Sequence, residues 1–155
     1  MERRMVFARI FSLKANLLKY NRYFIMKKHI LIVDDQALIL FSLSEVLKSE
    51  SVEVATASTA LKALEKIAAF PYYDLCLIDL GLPDMNGIEL IKKIKNNCSI
   101  SRFIIMTGKY YSERDLFENM KEAADIEPCR LITKPFDFPQ ILELIFQVLE
   151  EKQGN

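Results

Sequence analysis

The chain has 155 residues, of which 51% are hydrophobic and 27% charged, and its formal net charge is zero. This length suits one domain with a real core and leaves no room for a second. Three scattered cysteines without a CxxC pair argue against a disulfide framework or a zinc site and indicate thiols in a reducing, cytoplasmic compartment. The single histidine, His29, lies inside an apolar run, which favours a structural role over a catalytic one.

The charge is distributed unevenly along the chain. Residues 1–28 hold eight basic side chains against Glu2 alone, a net charge of +7, so the remainder carries −7. Residues 1–25 could be an extension without a folded role, a membrane-surface or partner-binding segment, a targeting peptide or a nucleic-acid arm. Charges interrupt the segment too often for a spanning helix, and no DNA-reading element follows it. Met26 followed by two lysines and a strand resembles an ordinary protein start, so we expect a basic extension over 1–25 and one domain over 26–152.

From residue 26 onward the hydrophobic pattern alternates between strand and helix. Strands are predicted at 29–33, 52–57, 75–78, 103–106 and 131–133. Helices are predicted at 37–48, 59–67, 88–95, 112–123 and 138–151. Ser58 or Thr59 is predicted to cap the second helix, and Asp137 with Gln140 resembles a capping box for the last. Five β/α units with right-handed crossovers predict a parallel α/β sheet covered by helices on both faces.

Polar residues follow the ends of four of these apolar runs. They are Asp34-Asp35, Asp79, Thr107 and Lys134-Pro135. Since the carboxyl ends of parallel strands meet at one edge of a sheet, these side chains are expected to surround one pocket. The alternative that these acids only cap helices would explain Asp35, which precedes the first helix, but it would not explain why Thr107 and Lys134 lie at the same edge.

Four short motifs give the chain from Met26 to about Lys152 a specific likeness. They are Ile30-Leu-Ile-Val-Asp-Asp35, Asp79-Leu-Gly-Leu-Pro-Asp-Met-Asn-Gly87, Ile105-Met-Thr-Gly108 and Thr133-Lys-Pro-Phe136. In this order and spacing, they resemble the receiver domain of bacterial two-component response regulators, and in particular the chemotaxis-type receivers. The resemblance implies a flavodoxin-like (βα)5 doubly wound sheet with strand order 2-1-3-4-5.

The acidic residues suggest a cation. Three carboxylates at neighbouring strand ends repel one another unless a hard cation lies among them, and Mg²⁺ prefers oxygen ligands. The resemblance implies that Asp79 and Asp35 bind Mg²⁺ together with the backbone carbonyl of Gly81, and that Asp34 acts mainly through water.

The remaining residues suit phosphoryl transfer, which depends mainly on positioning and on charge neutralisation. The resemblance implies that Asp79 is the phosphoacceptor, that Lys134 pairs with a phosphate oxygen and that the Thr107 hydroxyl moves to bind another. It also implies a cis peptide bond between Lys134 and Pro135. Such a protein is a switch that assists its own Mg²⁺-dependent phosphorylation and dephosphorylation rather than an enzyme in the ordinary sense.

The chain departs from the family pattern in the half that transmits the signal. Leu131 replaces the aromatic residue three positions before Lys134, and Glu127-Pro128 replaces a Gly-Ala pair. These changes put in doubt the usual coupling between Thr107 and an aromatic ring.

The resemblance also suggests partners. The phosphodonor would be a sensor histidine kinase or a histidine-phosphotransfer protein, and the output a protein contact through the predicted helix at 112–123, the fifth strand and the last helix. The chain ends just after that helix, so we expect a stand-alone receiver that does not bind DNA, unless the chain is a piece of a longer protein. Excess apolar positions at Leu144 and Phe146 predict either a homodimer or partner surface, or a deeply seated last helix.

Two rival functions remain open. Phosphatases of the haloacid dehalogenase type use an Asp-x-Asp motif, whereas Gly81 lies two residues after Asp79 here. The other rival is a receiver-like adaptor that signals without phosphorylation.

Overall fold

The computed structural model describes residues 27–49, 51–98, 100, 102–108 and 129–151. The strands are β1 (Lys28–Val33), β2 (Val52–Ala57), β3 (Leu75–Asp79), β4 (Phe103–Thr107) and β5 (Cys129–Thr133). The helices are α1 (Ala37–Leu47), α2 (Ala60–Ala69), α3 (Gly87–Asn97) and α4 (Phe138–Glu150). The predicted helix at 112–123 and the basic segment 1–25 lie outside the described residues.

The five strands form one parallel sheet in the order β2-β1-β3-β4-β5. Ile30 pairs with Leu75 and Asp79 with Met106, so the strands run in step towards the same edge. The predicted α/β class and strand order 2-1-3-4-5 are therefore confirmed.

The near-continuous apolar strands reflect burial on both faces of the sheet. Side chains alternate along a strand, so Ile30 and Ile32 point to one face while Leu31 and Val33 point to the other. The first face packs against α1 and α4, and the second against α2 and α3. Two apolar cores thus lie between the sheet and the four described helices, one core on each face, and polar residues gather at the carboxyl edge of the sheet.

The helix caps follow the sequence signals closely. Thr59 caps α2 by accepting a hydrogen bond from the Lys62 N–H, and Asp137 caps α4 by accepting one from the Gln140 N–H. Helix α3 begins one residue earlier than predicted, because Asn86 caps it by accepting a hydrogen bond from the Ile88 N–H, and it ends two residues later than predicted, at Asn97.

Two arginines bind the end of α4 at the amino edge of the sheet. Arg102, just before β4, is buried and donates a hydrogen bond to the backbone carbonyl of Glu151. Arg130 in β5 pairs with the Glu151 carboxylate at 2.5 Å. The carboxyl end of α4 is therefore tied to the start of two strands.

Two of the cysteines and the single histidine lie where a structural role would place them. Cys76 and Cys98 are free thiols, and burial raises the pKa of the Cys76 thiol, as expected for an unreactive core residue. The His29 ring packs 4.8 Å from the Phe70 ring. No helix within the described part of the chain has both the length and the apolar character needed to cross a membrane.

Candidate functional site

The carboxyl edge of the sheet brings the predicted polar residues together. Asp34 follows β1 directly, Asp79 is the last residue of β3 and Thr107 the last of β4. Lys134 follows β5, and its backbone N–H donates to the Thr107 carbonyl at 2.7 Å. The strand register therefore fixes the positions of all four residues.

Three carboxylates form a cluster at this edge. One oxygen from each of Asp34, Asp35 and Asp79 lies within 4.8 Å of the other two. Asp34 and Asp79 are buried, whereas Asp35 is exposed, so the cluster opens to solvent on one side. Backbone groups orient the buried pair: Asp34 accepts a hydrogen bond from the Gln36 N–H at 2.8 Å, and Asp79 accepts one from the Gly81 N–H at 3.1 Å.

Lys134 bridges the two buried carboxylates. Its Nζ lies 2.5 Å from Asp34 Oδ2 and 3.0 Å from Asp79 Oδ1, and only 12% of its side chain is exposed. Burial alone would lower the pKa of this ammonium, but the hydrogen bonds to Asp34 and Asp79 and the negative charges of these carboxylates together outweigh burial and raise the pKa. The lysine is therefore a fixed positive charge at the phosphoacceptor candidate.

For Asp34, in contrast to Lys134, burial outweighs the stabilising contacts of the ionised form. Burial raises the pKa of its carboxyl, and the nearby Asp79 charge adds to that effect. The hydrogen bonds from Lys134 and the Gln36 N–H lower it only in part. Ionisation of Asp34 is therefore unfavourable at this site unless a further positive charge, such as a cation, binds nearby.

The donor set fits a divalent cation of the Mg²⁺ type. Three carboxylates face one ammonium, which leaves the cluster with a formal charge of −2. All the candidate ligand atoms are oxygens, the hard donors that Mg²⁺ prefers, and the exposed side leaves access for water ligands. Zinc, a borderline metal, is usually held by sites that include thiolate or imidazole ligands, and this group of three carboxylates has neither.

Thr107 lies beside the pocket but its hydroxyl is directed elsewhere. The side chain is buried, and Oγ1 donates to the Gly108 carbonyl at 3.1 Å. A phosphate on Asp79 would therefore have to draw this hydroxyl away from its present acceptor. Leu131, which replaces the usual aromatic residue, lies on β5 with 40% of its surface exposed.

The loop after Asp79 is closed at its base. Gly81 forms an antiparallel bridge with Asn86, and the Gly87 N–H donates to the Leu80 carbonyl at 3.1 Å. These contacts hold Gly81, the predicted backbone ligand, next to the Asp79 carboxylate.

An apolar groove of about 430 Å³ adjoins the pocket. Lys134 belongs to both, since it lines the groove and contacts the carboxylates. Leu38 on α1 is 76% exposed at the groove, and Phe138 at the start of α4 is also exposed. The lining residues are Gln36, Leu38, Ile39, Ser42, Leu43, Lys134, Pro135, Phe136 and Phe138.

The Lys134–Pro135 peptide bond is cis, which confirms that prediction.

Residues 30–146 match the response regulator receiver domain family. The chain belongs to this family. Receiver domains are phosphoacceptor switches rather than classical enzymes, and they bind Mg²⁺ at their acidic pocket. Homologues of the phosphorelay and chemotaxis type interact with histidine kinases and phosphotransfer proteins.

The chain matches some relatives over nearly their whole length and others over about half of it. Sporulation initiation phosphotransferase F of Bacillus subtilis is 36% identical over 129 residues, which cover 83% of this chain and 99% of that protein. The two-component response regulator PhoP of Pseudomonas aeruginosa is 28% identical over 81% of this chain, which spans only 53% of that regulator. Among solved structures, a CheY-like receiver domain protein from Methanospirillum hungatei is 36% identical with a TM-score of 0.68, covering 80% of this chain and 94% of that one.

Sequence reasoning missed two residues of the loop after Asp79. Asn86 precedes an apolar helical run and could have been recognised as a cap. Asp84 contacts a helix 23 and 24 residues earlier in the chain, and no local pattern signals such a contact.

Proposed function

We propose that this receiver domain accepts a phosphoryl group on Asp79 from the phosphohistidine of a sensor histidine kinase or a histidine-phosphotransfer protein, and signals through a protein contact that depends on phosphorylation. The observation that carries the proposal is the contact of Lys134 Nζ with Asp34 and Asp79 beside a third carboxylate. A nucleophile, a fixed cation and a set of metal ligands thus lie together at one sheet edge.

The chemistry follows from this arrangement. A carboxylate oxygen of Asp79 attacks phosphorus, the phosphorus–nitrogen bond of the donor breaks, and the imidazole leaves and takes a proton from solvent. Held by Asp35, Asp79 and the Gly81 carbonyl, with Asp34 acting mainly through water, Mg²⁺ would supply the positive charge that phosphoryl transfer requires. Lys134 neutralises a second part of the developing negative charge, because its Nζ is already at the attacking carboxylate.

The same contacts supply a switch. Phosphorylation replaces the single carboxylate charge of Asp79 with a phosphoryl group of close to two negative charges, which competes with Asp34 for Lys134 and attracts the Thr107 hydroxyl from the Gly108 carbonyl. Movement of Thr107 at the end of β4 changes the packing beside β5 and α4. That region, together with the predicted helix at 112–123, is the proposed contact surface for the downstream protein.

The groove beside Lys134 suits the phosphodonor. A phosphohistidine can reach Asp79 only if its protein covers the rim of the pocket, and the groove forms part of that rim through Lys134. The exposed side chains of Leu38 and Phe41 on α1 offer apolar area for such a contact. The donor is therefore proposed to bury this face of α1.

A direct labelling experiment tests the proposal. Protein incubated with Mg²⁺ and acetyl phosphate should gain about 80 Da, the mass of one phosphoryl group, and peptide mapping should place it on Asp79. Asp79→Asn should not be labelled, whereas Asp74→Asn, at the opposite end of the sheet, should be labelled as in the wild type. Equal labelling of Asp79→Asn would refute the assignment, and an unlabelled wild type would favour a receiver-like adaptor that acts without phosphorylation.

A further inference from the structure

The loop that follows Asp79 is tied to a distant helix by one side chain. Asp84, at the tip of this loop, accepts a hydrogen bond from the Ala60 N–H on Oδ1 and another from the Leu61 N–H on Oδ2, both at 2.9 Å. These bonds, first that from Leu61 and then that from Ala60, lower the pKa of the Asp84 carboxyl. The carboxylate therefore joins the loop to the first turn of α2.

The contact does more than cap the helix. Thr59 accepts a hydrogen bond only from the Lys62 N–H, at 3.2 Å, while Asp84 satisfies the Ala60 and Leu61 N–H groups of the same turn. Asp84 is exposed and comes from a different segment of the chain, so burial does not demand that its carboxylate be paired. The bonds of Asp84 add a connection between segments that Thr59 cannot supply.

Through this contact, Asp34 and Asp79 are also connected by way of β2, α2 and the loop after Asp79. The Asp34 N–H donates to the Ala57 carbonyl at the end of β2, and α2 begins three residues after Ala57. From α2 the path crosses to the loop through Asp84 and returns to Asp79 through the Gly81 N–H. The Asp34 backbone and the Asp79 carboxylate are thus linked by a path of hydrogen bonds and short chain segments that does not pass through Lys134.

We propose that Asp84 is a positioning residue, which holds the loop so that the Gly81 backbone faces the Mg²⁺ pocket. The inference rests on the proposed function, because it assigns Asp84 to the metal-dependent step. Without the carboxylate, the loop tip loses its hydrogen bonds to α2, and Gly81 keeps only the contacts at the base of the loop.

A pair of variants separates positioning from helix capping. Asp84→Ala and Thr59→Ala each remove a cap from the same turn of α2, but only the first frees the loop. At limiting Mg²⁺, Asp84→Ala should be labelled by acetyl phosphate about fivefold more slowly than the wild type, and saturating Mg²⁺ should restore most of the rate. Thr59→Ala should stay within about twofold of the wild type at every Mg²⁺ concentration. Equal slowing in the two variants, or slowing of Asp84→Ala that Mg²⁺ does not relieve, would overturn the inference.

A second measurement needs no phosphorylation. Titration with MgCl₂, followed through the amide NMR signal of Gly81, should give weaker binding for Asp84→Ala and intermediate binding for Asp84→Asn, which keeps one acceptor oxygen of the two. Unchanged Mg²⁺ binding in both variants would refute the role of Asp84 even if the wild type is phosphorylated normally. If acetyl phosphate fails to label the wild type, the proposed function fails while this titration still decides the inference. A wild type that binds no Mg²⁺ would overturn both.

Discussion

Gly87 lies directly against the main chain of Asp79. A Cβ atom at position 87 would come within 2.4 Å of the Asp79 carbonyl oxygen and 3.0 Å of the Leu80 Cα. Both obstacles are backbone atoms, which cannot rotate away as a side chain could. We therefore expect Gly87→Ala to destabilise the fold by about 2 kcal/mol and to slow labelling of Asp79, because the strand end must shift.

Gly108→Ala is the matched control for that substitution. Among the residues that the structure describes, a Cβ at Gly108 meets nothing within 4 Å, so the unfolding free energy of Gly108→Ala should differ from that of the wild type by no more than about 0.5 kcal/mol. Chemical unfolding and acetyl phosphate labelling of the two variants measure the difference. Similar stabilities for both alanine variants would contradict the steric argument.

Asp34→Asn should stabilise the protein in the absence of Mg²⁺. Asp34 is fully buried beside another carboxylate, and Lys134 keeps Asp79 as a partner when Asp34 becomes neutral. We expect the unfolding free energy to rise by about 1 kcal/mol, since a buried charge with incomplete compensation is removed. Mg²⁺ should then stabilise the wild type more than the variant, because the variant has lost a carboxylate near the ion.

The control for Asp34→Asn is Asp74→Asn, at the other end of the sheet. Asp74 pairs with Lys28 at 3.1 Å and accepts a hydrogen bond from the His29 N–H at 2.8 Å, so its loss should destabilise the fold. Thermal unfolding with and without Mg²⁺ distinguishes the two sites. A lower midpoint for Asp34→Asn in Mg²⁺-free buffer would show that Asp34 contributes net stability.

Gly81→Asn should shorten the lifetime of the phosphorylated protein. The resemblance to receivers places position 81 where a side chain can hold a water in line with the phosphate, and glycine has none. A Cβ at Gly81 would lie 3.4 Å from Asp79 Oδ2, an ordinary contact, so a side chain fits there. The lifetime should fall at least several-fold, about 1 kcal/mol in barrier height.

Gly81→Ala serves as the control, since it adds bulk without a polar group. Decay of the labelled mass with time measures both variants. An unchanged decay in Gly81→Asn, or loss of phosphate from the wild type within seconds, would exclude the water-positioning argument. The resemblance gives the residue two positions after Thr107, here Lys109, a part in holding or blocking the same water, and Lys109 lies outside the described residues.

Leu38→Glu should impair phosphorylation by a protein donor but not by a small one. Leu38 lines the groove, and an added charge there opposes an apolar contact. With a purified histidine kinase or phosphotransfer protein that labels the wild type, we expect labelling to slow by about tenfold, or 1.4 kcal/mol. Leu61→Glu is the control, because Leu61 is 61% exposed on α2 and does not line the groove. Equal effects of the two variants would show that the groove does not receive the donor.

Residues 1–25 are proposed to add little to the stability of the domain. A chain starting at Met26 keeps the Lys27–Glu53 ion pair and every strand of the sheet. Its unfolding free energy should match that of the full chain within about 1 kcal/mol. A larger loss in denaturant titrations would mean that the basic segment packs on the domain.

The sequence predicted the strands and the pocket well, because both depend on local patterns. Asp34, Asp79, Thr107 and Lys134 each follow an apolar run, and parallel strands carry their ends to the same edge. Helix ends were predicted where a cap supplied a signal, as at Thr59.

Contacts between distant segments could not be predicted in this way. The bond from Asp84 to α2 depends on where the loop and the helix meet in the fold, which neither segment encodes alone. The apolar spacing of α1 predicted a helix, but α1 is apolar on nearly every side, so the pattern did not indicate that Leu38 and Phe41 stay exposed. On α4, Phe146 is exposed as a partner surface would require, whereas Leu144 is half-buried against the core.

The pairing of Arg102 and Arg130 with Glu151 has a practical consequence for biophysical work. Glu151 is held at the amino edge of the sheet, a full strand length of roughly 17 Å from the carboxylate cluster. A fluorophore or surface tether attached after Glu151 would start from the end of the molecule that faces away from Asp79. Immobilised protein would then present its pocket and the α1 groove to partners in solution, which suits surface-based screening of candidate phosphodonors.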